Sequence, residues 1–250
     1  MFLDDTGIVL KTVRYDDASS VVHIFTRSHG TVPFMVTRSK SRATRSQRTS
    51  YAPLSILSFQ WDRKPTQVIC RLRDIHPVLV WQTLPYHPVK RTVALLLAES
   101  LAAMLREEGD DAPLFDHITF SLRWLDEADE GYANFHLVFL LSVARALGIA
   151  PEMSSYAPGH SFDLESALFV PYAAASPFVM TPPDAEVLYR LAQTDYDRMA
   201  AIRKVRGYSR FTQQVFLSQL SDHDFSIFRE KMYRFPGFYV QKRSIRQYEH

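Results

Sequence analysis

The first 75 residues contain five short runs with the composition of β-strands, and this pattern constrains the fold more than any other feature of the chain. The runs are 7–13, 21–26, 31–36, 54–61 and 67–75. Turn residues separate the second run from the third and the fourth from the fifth, which is typical of hairpins. A longer polar stretch precedes the fourth run. Five short strands in this order predict a small closed barrel.

After this barrel the apolar spacing changes to that of helices. The first predicted helix begins at Pro88, and its apolar face is Val89, Val93, Leu96, Leu97, Leu101 and Met104. A second helix is predicted to run through Phe115, Ile118, Leu122 and Leu125 and to end near Gly131. A third, 133–147, is apolar almost all round, which is typical of the buried centre of a domain.

Beyond the third helix, six prolines in 151–183 predict an irregular segment. Further helices are predicted at 183–193 and about 209–233. The sequence therefore predicts an all-β domain followed by an all-α domain, with a five-stranded barrel over 1–80 and a helical domain over 81–250.

Charge is segregated along the chain, although the total is only +2. Residues 1–90 carry a net charge of +7, residues 91–197 carry −12 and residues 198–250 carry +7. Such asymmetry favours an anionic partner for the basic segments. The alternative is that each block only solvates its own surface.

The densest positive charge lies in the polar stretch between the third and fourth runs. Five cations and no acid fall within eleven residues, and they are Arg38, Lys40, Arg42, Arg45 and Arg48. Mostly Ser and Thr separate them, so the stretch has no apolar face to bury. Long cationic side chains on a loop can follow a phosphate backbone without one fixed geometry. The alternative is a solvated loop without a ligand.

Other basic residues of the barrel extend this candidate nucleic-acid surface. They are Lys11, Arg14, Arg27, Arg71 and Arg73. Arg71 and Arg73 alternate with apolar neighbours, so they are predicted to share the exposed face of the fifth strand.

Aromatic residues divide into two groups. Tyr15 and Tyr51 lie at strand or loop ends, where a ring is free to stack on a base. Phe25, Phe34 and Phe59 lie within apolar runs and are predicted to belong to the core.

The sequence gives no argument for an enzyme. No serine-hydrolase elbow, P-loop or dinucleotide fingerprint occurs, and the nine histidines show no metal-ligand spacing. Acid-rich segments at 107–111 and 126–130 leave a metal-dependent nuclease as an alternative, although solvated helix ends explain them more simply. We therefore expect a non-enzymatic protein that needs neither metal nor cofactor.

Three features of the sequence indicate the cellular compartment. Cys70 is the single cysteine, so no disulfide forms within one chain, as expected in a reducing cytoplasm. The N-terminus lacks the basic start and apolar run of a secretory signal. The most apolar stretches, 93–105 and 135–150, are each interrupted by a charge and fall short of the ~18 residues of a membrane span. We expect a cytoplasmic protein without a membrane partner.

The helical domain offers a second candidate site, for a partner peptide. One face of the helix 133–147 carries Phe135, Val138 and Phe139, and Ser142 and Arg145 continue it. A different interpretation of the whole chain is a protein-interaction scaffold whose barrel binds a peptide and whose charge only aids solubility.

Three segments of the chain resemble the RecO family of DNA repair proteins. Residues 7–12 with Tyr15 resemble the opening strand of that family, and residues 21–30 (VVHIFTRSHG) resemble its first hairpin. Residues 135–148, followed by Pro151, resemble its central helix. The order of strand, hairpin, basic loop, hairpin and helices fits the family as well.

This resemblance implies an OB-fold barrel followed by a helical domain. It also implies binding of single- and double-stranded DNA and annealing of complementary strands. The partners that it implies are RecR and the acidic C-terminal tail of single-strand binding protein, with which the family loads RecA onto coated strands in RecF-pathway repair. None of these activities breaks a covalent bond.

The chain departs from the family pattern in three places. Many members carry a four-cysteine zinc knuckle after the central helix, whereas residues 153–177 contain no cysteine, so no zinc is expected. Ala133 and Asn134 stand where some relatives place basic residues. The location of the site for the tail of single-strand binding protein therefore does not follow from the resemblance. The C-terminal segment is unusually basic and is a second candidate DNA contact.

Overall fold

A computed structural model describes residues 2–37, 51–62, 69–105, 109, 111–171 and 178–201. The chain divides into two compact units, Met1–Val205 and Arg206–His250, and all described residues belong to the first. The helix predicted at about 209–233 and the basic C-terminal segment lie outside the described residues.

Five strands form the N-terminal barrel. They are Phe2–Arg14 (β1), Ser19–Thr26 (β2), Gly30–Thr37 (β3), Ile56–Asp62 (β4) and Cys70–Pro77 (β5). The strand order β1-β2-β3-β5-β4 closes on itself, and the β3–β5 pair is the parallel one. This is the arrangement of an OB-fold, so the predicted fold class of a five-stranded barrel followed by helices is confirmed.

Strand β1 is buried on both faces around its middle, which explains its unbroken apolar run. Val9 faces the barrel interior, where it meets Phe34 and Trp61. Ile8 faces outward and lies in one cross-strand row with Phe25 and Ile56. This row packs against the helices in one continuous core. The predicted burial of Phe25, Phe34 and Phe59 is confirmed, with each at most 3% exposed.

Gly7 is required where the barrel interior is tightest. A Cβ atom at this position would overlap Cγ2 of Ile24 and lie 3.1 Å from Cε1 of Phe59. We therefore expect Gly7→Ala to lower the free energy of unfolding by about 1–3 kcal/mol, as overpacking of a closed core does. Urea denaturation measures this difference. Gly109→Ala is the control, because no atom of the described residues lies within 4 Å of its Cβ position. Equal stability of the two variants would contradict the prediction.

Four helices follow among the described residues: Pro88–Met104 (α1), Ala112–Glu127 (α2), Phe135–Ala146 (α3) and Pro182–Ala192 (α4). Their starts agree with the sequence signals. The His87 ring accepts from the backbone N–H of Lys90 at the start of α1, and the Asp111 carboxylate caps α2 by accepting from the N–H of Leu114. Proline stands in the first turn of α1, α2 and α4.

The buried face of α1 differs from the predicted one. Ala94, Leu97, Ala98 and Leu101 are buried against the barrel and the other helices, whereas Val89 and Leu96 of the predicted face are 53% and 43% exposed. The reason is the close contact between α1 and β1. Two alanines on the contacting face let the helix backbone approach the strand.

The stretch predicted to be irregular contains a small sheet, which corrects that expectation. Its strands are Ser161–Asp163 (β6), Leu168–Val170 (β7) and Val179–Met180 (β8), in the order β7-β6-β8. Aromatic packing explains its formation: the rings of Phe162 and Phe169 lie 4.9 Å apart, and those of Tyr156 and Tyr189 stack at 3.8 Å. Strands this short, with prolines between them, contain too few residues to show an alternating apolar pattern in the sequence.

A buried polar cluster joins the segment after the barrel to the helices. The Asp126 carboxylate, at the end of α2, accepts hydrogen bonds from the backbone N–H groups of Gln82, Thr83 and Leu84 at 2.6–2.8 Å. The Lys90 ammonium donates to the Thr83 hydroxyl and to the Asp126 carbonyl, each at 2.8 Å. Asp126 and Lys90 are 6% and 3% exposed. This cluster fixes the connection between barrel and helices, and the domain boundary at 80/81 stays a prediction.

Candidate nucleic-acid interface

One side of the barrel carries side chains that the helices do not bury. We define the open barrel face as the outward-facing residues of β1, β2, β3 and β5 in two cross-strand rows. The first row is Lys11, His23 and Pro33, and the second is Val13, Val21, Met35 and Arg71. In OB-folds the surface of strands 2 and 3 is where oligonucleotides bind.

Two cations of the open barrel face are well placed for phosphate contacts. Lys11 and Arg71 are exposed and form no ion pair with any residue in the described ranges. Between them, across β2 and β3, lie the half-buried Pro33 and Met35 and the buried Val21. Tyr15 follows directly after β1 and is 67% exposed, while Val13 is 48% exposed. The face therefore combines positive charge at its margins with an accessible ring at one end.

A β-bulge in β1 determines where Lys11 points. Residues 7, 8 and 9 pair with 26, 25 and 24 of β2, but the next pair is Lys11 with His23, so Leu10 is the extra residue. Without the bulge Lys11 would stand opposite Val22, whose side chain lies in the barrel interior. The bulge thus brings both Leu10 and Lys11 to the outside, Leu10 against the helices and Lys11 on the open barrel face.

His23 is a further member of this face. It is half-buried on β2, directly opposite Lys11. Burial and the neighbouring Lys11 charge lower the pKa of its imidazole. The sequence does contain a signal, because the apolar run 7–10 ends at the polar pair Lys11 and Thr12. That break in the pattern marks the bulge.

The other predicted barrel cations in the described ranges lie elsewhere and have partners. Arg14 pairs with Asp17 in the turn after β1. Arg27 makes two hydrogen bonds to Asp116 of α2, at 3.1 and 2.7 Å. Arg73 is exposed on β5 as predicted, but its guanidinium lies 4.5 Å from the ring centre of Phe2, on the side nearer β4. Arg71 is exposed as predicted too. The structure therefore brings Lys11, Arg71 and Tyr15 to one face and separates the others.

The predicted loop cations Arg38, Lys40, Arg42, Arg45 and Arg48 lie outside the described residues. The described residues on either side of this stretch are Thr37, at the end of β3, and Tyr51. Tyr51 is half-buried beside the barrel core, and burial raises the pKa of its hydroxyl. Its carbonyl accepts a hydrogen bond from the Thr12 hydroxyl of β1 at 3.2 Å, so its backbone is tied to the barrel.

A shallow cavity of about 380 Å³ lies outside β1, β4 and β5 and is acidic. Its lining residues are Asp4, Asp5, Thr6, Ser58, Phe59, Gln60, Asp74 and His76. Carboxylates repel phosphates, so this concave surface is not suited to a nucleic-acid backbone. Of these two described surfaces of the barrel, the open barrel face is therefore the candidate interface.

The predicted peptide-binding face of α3 is mostly interior. Phe135 and Phe139 are 0% exposed and Val138 is 5% exposed. Ser142 donates to the Phe139 carbonyl and meets His117 at 2.8 Å, and Arg145 donates to the Ala192 carbonyl. The apolar part of this face is therefore packed, because α2 and α4 lie against α3. Peptide binding by these five residues remains a prediction.

The acid-rich segments do not assemble a cation site in the described ranges. The Asp126 carboxylate is engaged by backbone N–H groups, as described above. No three His, Cys, Asp or Glu side chains of the described ranges gather closely enough to hold a metal ion. None of the helices in that part of the chain is long and apolar enough to cross a bilayer.

Comparison with known proteins places this architecture in a family. Two family models match, Recombination protein O N terminal over residues 1–79 and Recombination protein O C terminal over residues 87–215. The DNA repair protein RecO of Phocaeicola vulgatus is 37% identical over 199 residues, which cover 80% of this chain and 83% of that protein.

Two further relatives carry the same name. The DNA repair protein RecO of Bacteroides fragilis is 33% identical over 202 residues, covering 80% of this chain and 83% of the relative. That of Porphyromonas gingivalis is 31% identical over 215 residues, covering 84% and 87%. The matches span both the barrel and the helices, and the chain therefore belongs to the RecO family of DNA repair proteins.

Proposed function

We propose that the protein is a DNA-binding recombination mediator of the cytoplasm, which anneals complementary strands and, with RecR, loads RecA onto single-stranded DNA. Single- and double-stranded DNA, RecR and the C-terminal tail of single-strand binding protein are the partners. The proposed role involves no enzymatic step, no metal and no cofactor. The observation that carries the proposal is the open barrel face of an OB-fold, with Lys11 and Arg71 exposed on it.

Electrostatics gives this face a way to favour annealing. Two DNA strands repel each other through their phosphates, and cations that neutralise phosphates remove part of that repulsion. A strand held by its backbone leaves its base edges available for pairing. The exposed Tyr15 ring allows a base to stack without its sequence being read.

Equilibrium binding of the whole protein to a labelled single-stranded oligonucleotide, across salt concentrations, tests DNA binding. We expect affinity to fall linearly on logarithmic axes, by about 0.7 in slope for each phosphate contact. A peptide-binding scaffold would not bind the oligonucleotide. If the protein does not bind it even at low salt, the proposal is refuted. Adding RecR or the acidic tail peptide in separate titrations tests the partners.

The contribution of the open barrel face is tested by the double variant Lys11→Ala/Arg71→Ala. Loss of two phosphate contacts is expected to reduce the salt slope by about 1.4 and to weaken binding in proportion at low salt. Arg91→Ala/Arg123→Ala is the matched control, since both residues are exposed and belong to α1 and α2 rather than to the barrel strands. Equal losses in the two double variants would indicate a general charge effect rather than a site.

A further inference from the structure

The bulge in β1 creates a pair of basic side chains that regular strand pairing would not. Because Leu10 is the extra residue, Lys11 stands directly opposite His23. Cross-strand partners have Cα atoms about 4.5–5.5 Å apart, so their side chains reach the same ligand atom. Bulges beside binding sites commonly serve to re-aim a side chain in this way.

The surroundings of His23 contain one other charged group among its described neighbours. On β1 its partner is Lys11, and on β3 its partner is Pro33, which does not titrate. On β2 itself, Val21 and Phe25 flank it on the same face. No carboxylate from these strands stands opposite the ring to stabilise a positive charge. In the free protein, both burial and Lys11 therefore oppose protonation of His23.

Building on the proposed function, we propose that Lys11 and His23 together hold one phosphate of a bound single strand, and that His23 takes up a proton from solvent as the strand binds. The proton goes to the free ring nitrogen, and no bond of the DNA changes. His23 is thus a pH-dependent DNA contact beside a permanent one.

The negative charge of a phosphate reverses the electrostatics of the pair. An imidazolium has two N–H donors and an ammonium has three, and phosphate oxygens accept such charge-assisted bonds strongly. A phosphate between the two side chains turns a repulsive pair into two attractive ones. Linkage is reciprocal, so DNA raises the affinity of His23 for a proton and a proton raises the affinity of the protein for DNA.

This linkage predicts a pH-dependent affinity for single-stranded DNA. A thymine oligonucleotide is the appropriate probe, because thymine does not titrate near neutral pH. As pH falls between the pKa of His23 in the complex and its pKa in the free protein, affinity is expected to rise by up to about tenfold per pH unit, the limit for uptake of one proton. The salt slope is expected to steepen by about 0.7 over the same range.

Two glutamine variants separate this contact from other histidines. His23→Gln, which keeps a polar side chain of similar size but cannot take up a proton, is expected to lose the gain in affinity at lower pH. His76→Gln is the matched control, because His76 is exposed on β5 at the acidic cavity. It is expected to keep the gain. A pH dependence retained in His23→Gln would overturn the inference.

An NMR titration of the His23 ring provides a measurement on the wild-type protein. Bound thymine oligonucleotide should raise the pKa of His23, and Lys11→Met should raise it in the free protein. A pKa unchanged by bound DNA would overturn the inference while leaving the proposed function intact. Failure to bind DNA at any pH would instead overturn the proposed function and this inference with it.

Discussion

Replacing Arg38, Lys40, Arg42, Arg45 and Arg48 by alanine is expected to weaken single-stranded DNA binding more than any other change to the barrel. If all five cations contact phosphates, the salt slope falls by about 3.5, since each single-strand contact contributes about 0.7. Over a fourfold increase in salt, these contacts alone would change affinity about a hundredfold. Fluorescence anisotropy with a labelled oligonucleotide at three or more salt concentrations measures both quantities.

The same loop supplies a matched control with unchanged charge. Substituting alanine for Ser39, Ser41, Thr44, Ser46 and Gln47 alters five polar residues of the same stretch. This variant is expected to keep the wild-type salt slope, because its cations remain. If the five-cation variant also kept the wild-type slope, the loop would have no role in binding, and the phosphate contacts would have to lie elsewhere.

Asp126→Ala is expected to cause the largest loss of stability, about 3–5 kcal/mol, as removal of one member of a buried charged cluster does. Three backbone N–H groups of residues 82–84 lose their acceptor, and the buried Lys90 loses a carboxylate charge that stabilises its ammonium form. Burial lowers the pKa of Lys90, and Asp126 opposes that shift. Urea denaturation at pH 7 measures the change. Glu127→Ala is the control, because Glu127 is exposed at the neighbouring position, and its stability should stay within about 0.5 kcal/mol of the wild type.

The pH dependence of stability provides a second readout of the same cluster. Burial raises the pKa of Asp126, but hydrogen bonds from the N–H groups of Gln82, Thr83 and Leu84 outweigh it, and the net pKa is lowered. The unfolded carboxyl is therefore protonated first as pH falls below about 4. The stability that Asp126 contributes is complete above that pH and is lost as pH falls through its lowered folded pKa. The difference in free energy of unfolding between wild type and Asp126→Ala should therefore decrease over this pH range. A difference that stays constant would indicate that lost packing, rather than lost charge, causes the destabilisation.

Some features of this protein follow from local sequence alone. The β-runs and their turns predicted a five-stranded barrel, because strand period, turn residues and loop length are local properties. The helix start at Pro88 was visible for the same reason, since proline favours the first turn of a helix. The exposure of Arg71 also followed from simple alternation along one strand.

Features that depend on a partner element could be decided only by the tertiary structure. Sequence spacing placed Val89 and Leu96 in the core, but the contact with β1 selects the side of α1 that bears Ala94 and Ala98. An apolar helix face predicts that some side of the helix is buried. How closely the backbone of α1 approaches β1, and therefore which side is buried, depends on the surface of β1. The small sheet at 161–180 likewise forms through packing of distant aromatic rings rather than through local period.

The candidate site shows the same division. Composition and order indicated that the barrel is basic and that its loop is dense in cations, because charge is a property of each residue. Which cations act together was decided by pairing: Arg27 meets Asp116 of α2, and Arg14 meets Asp17. A single extra residue in β1 put Lys11 beside His23. Strand register depends on both strands at once, and for that reason the sequence of one strand could not determine it.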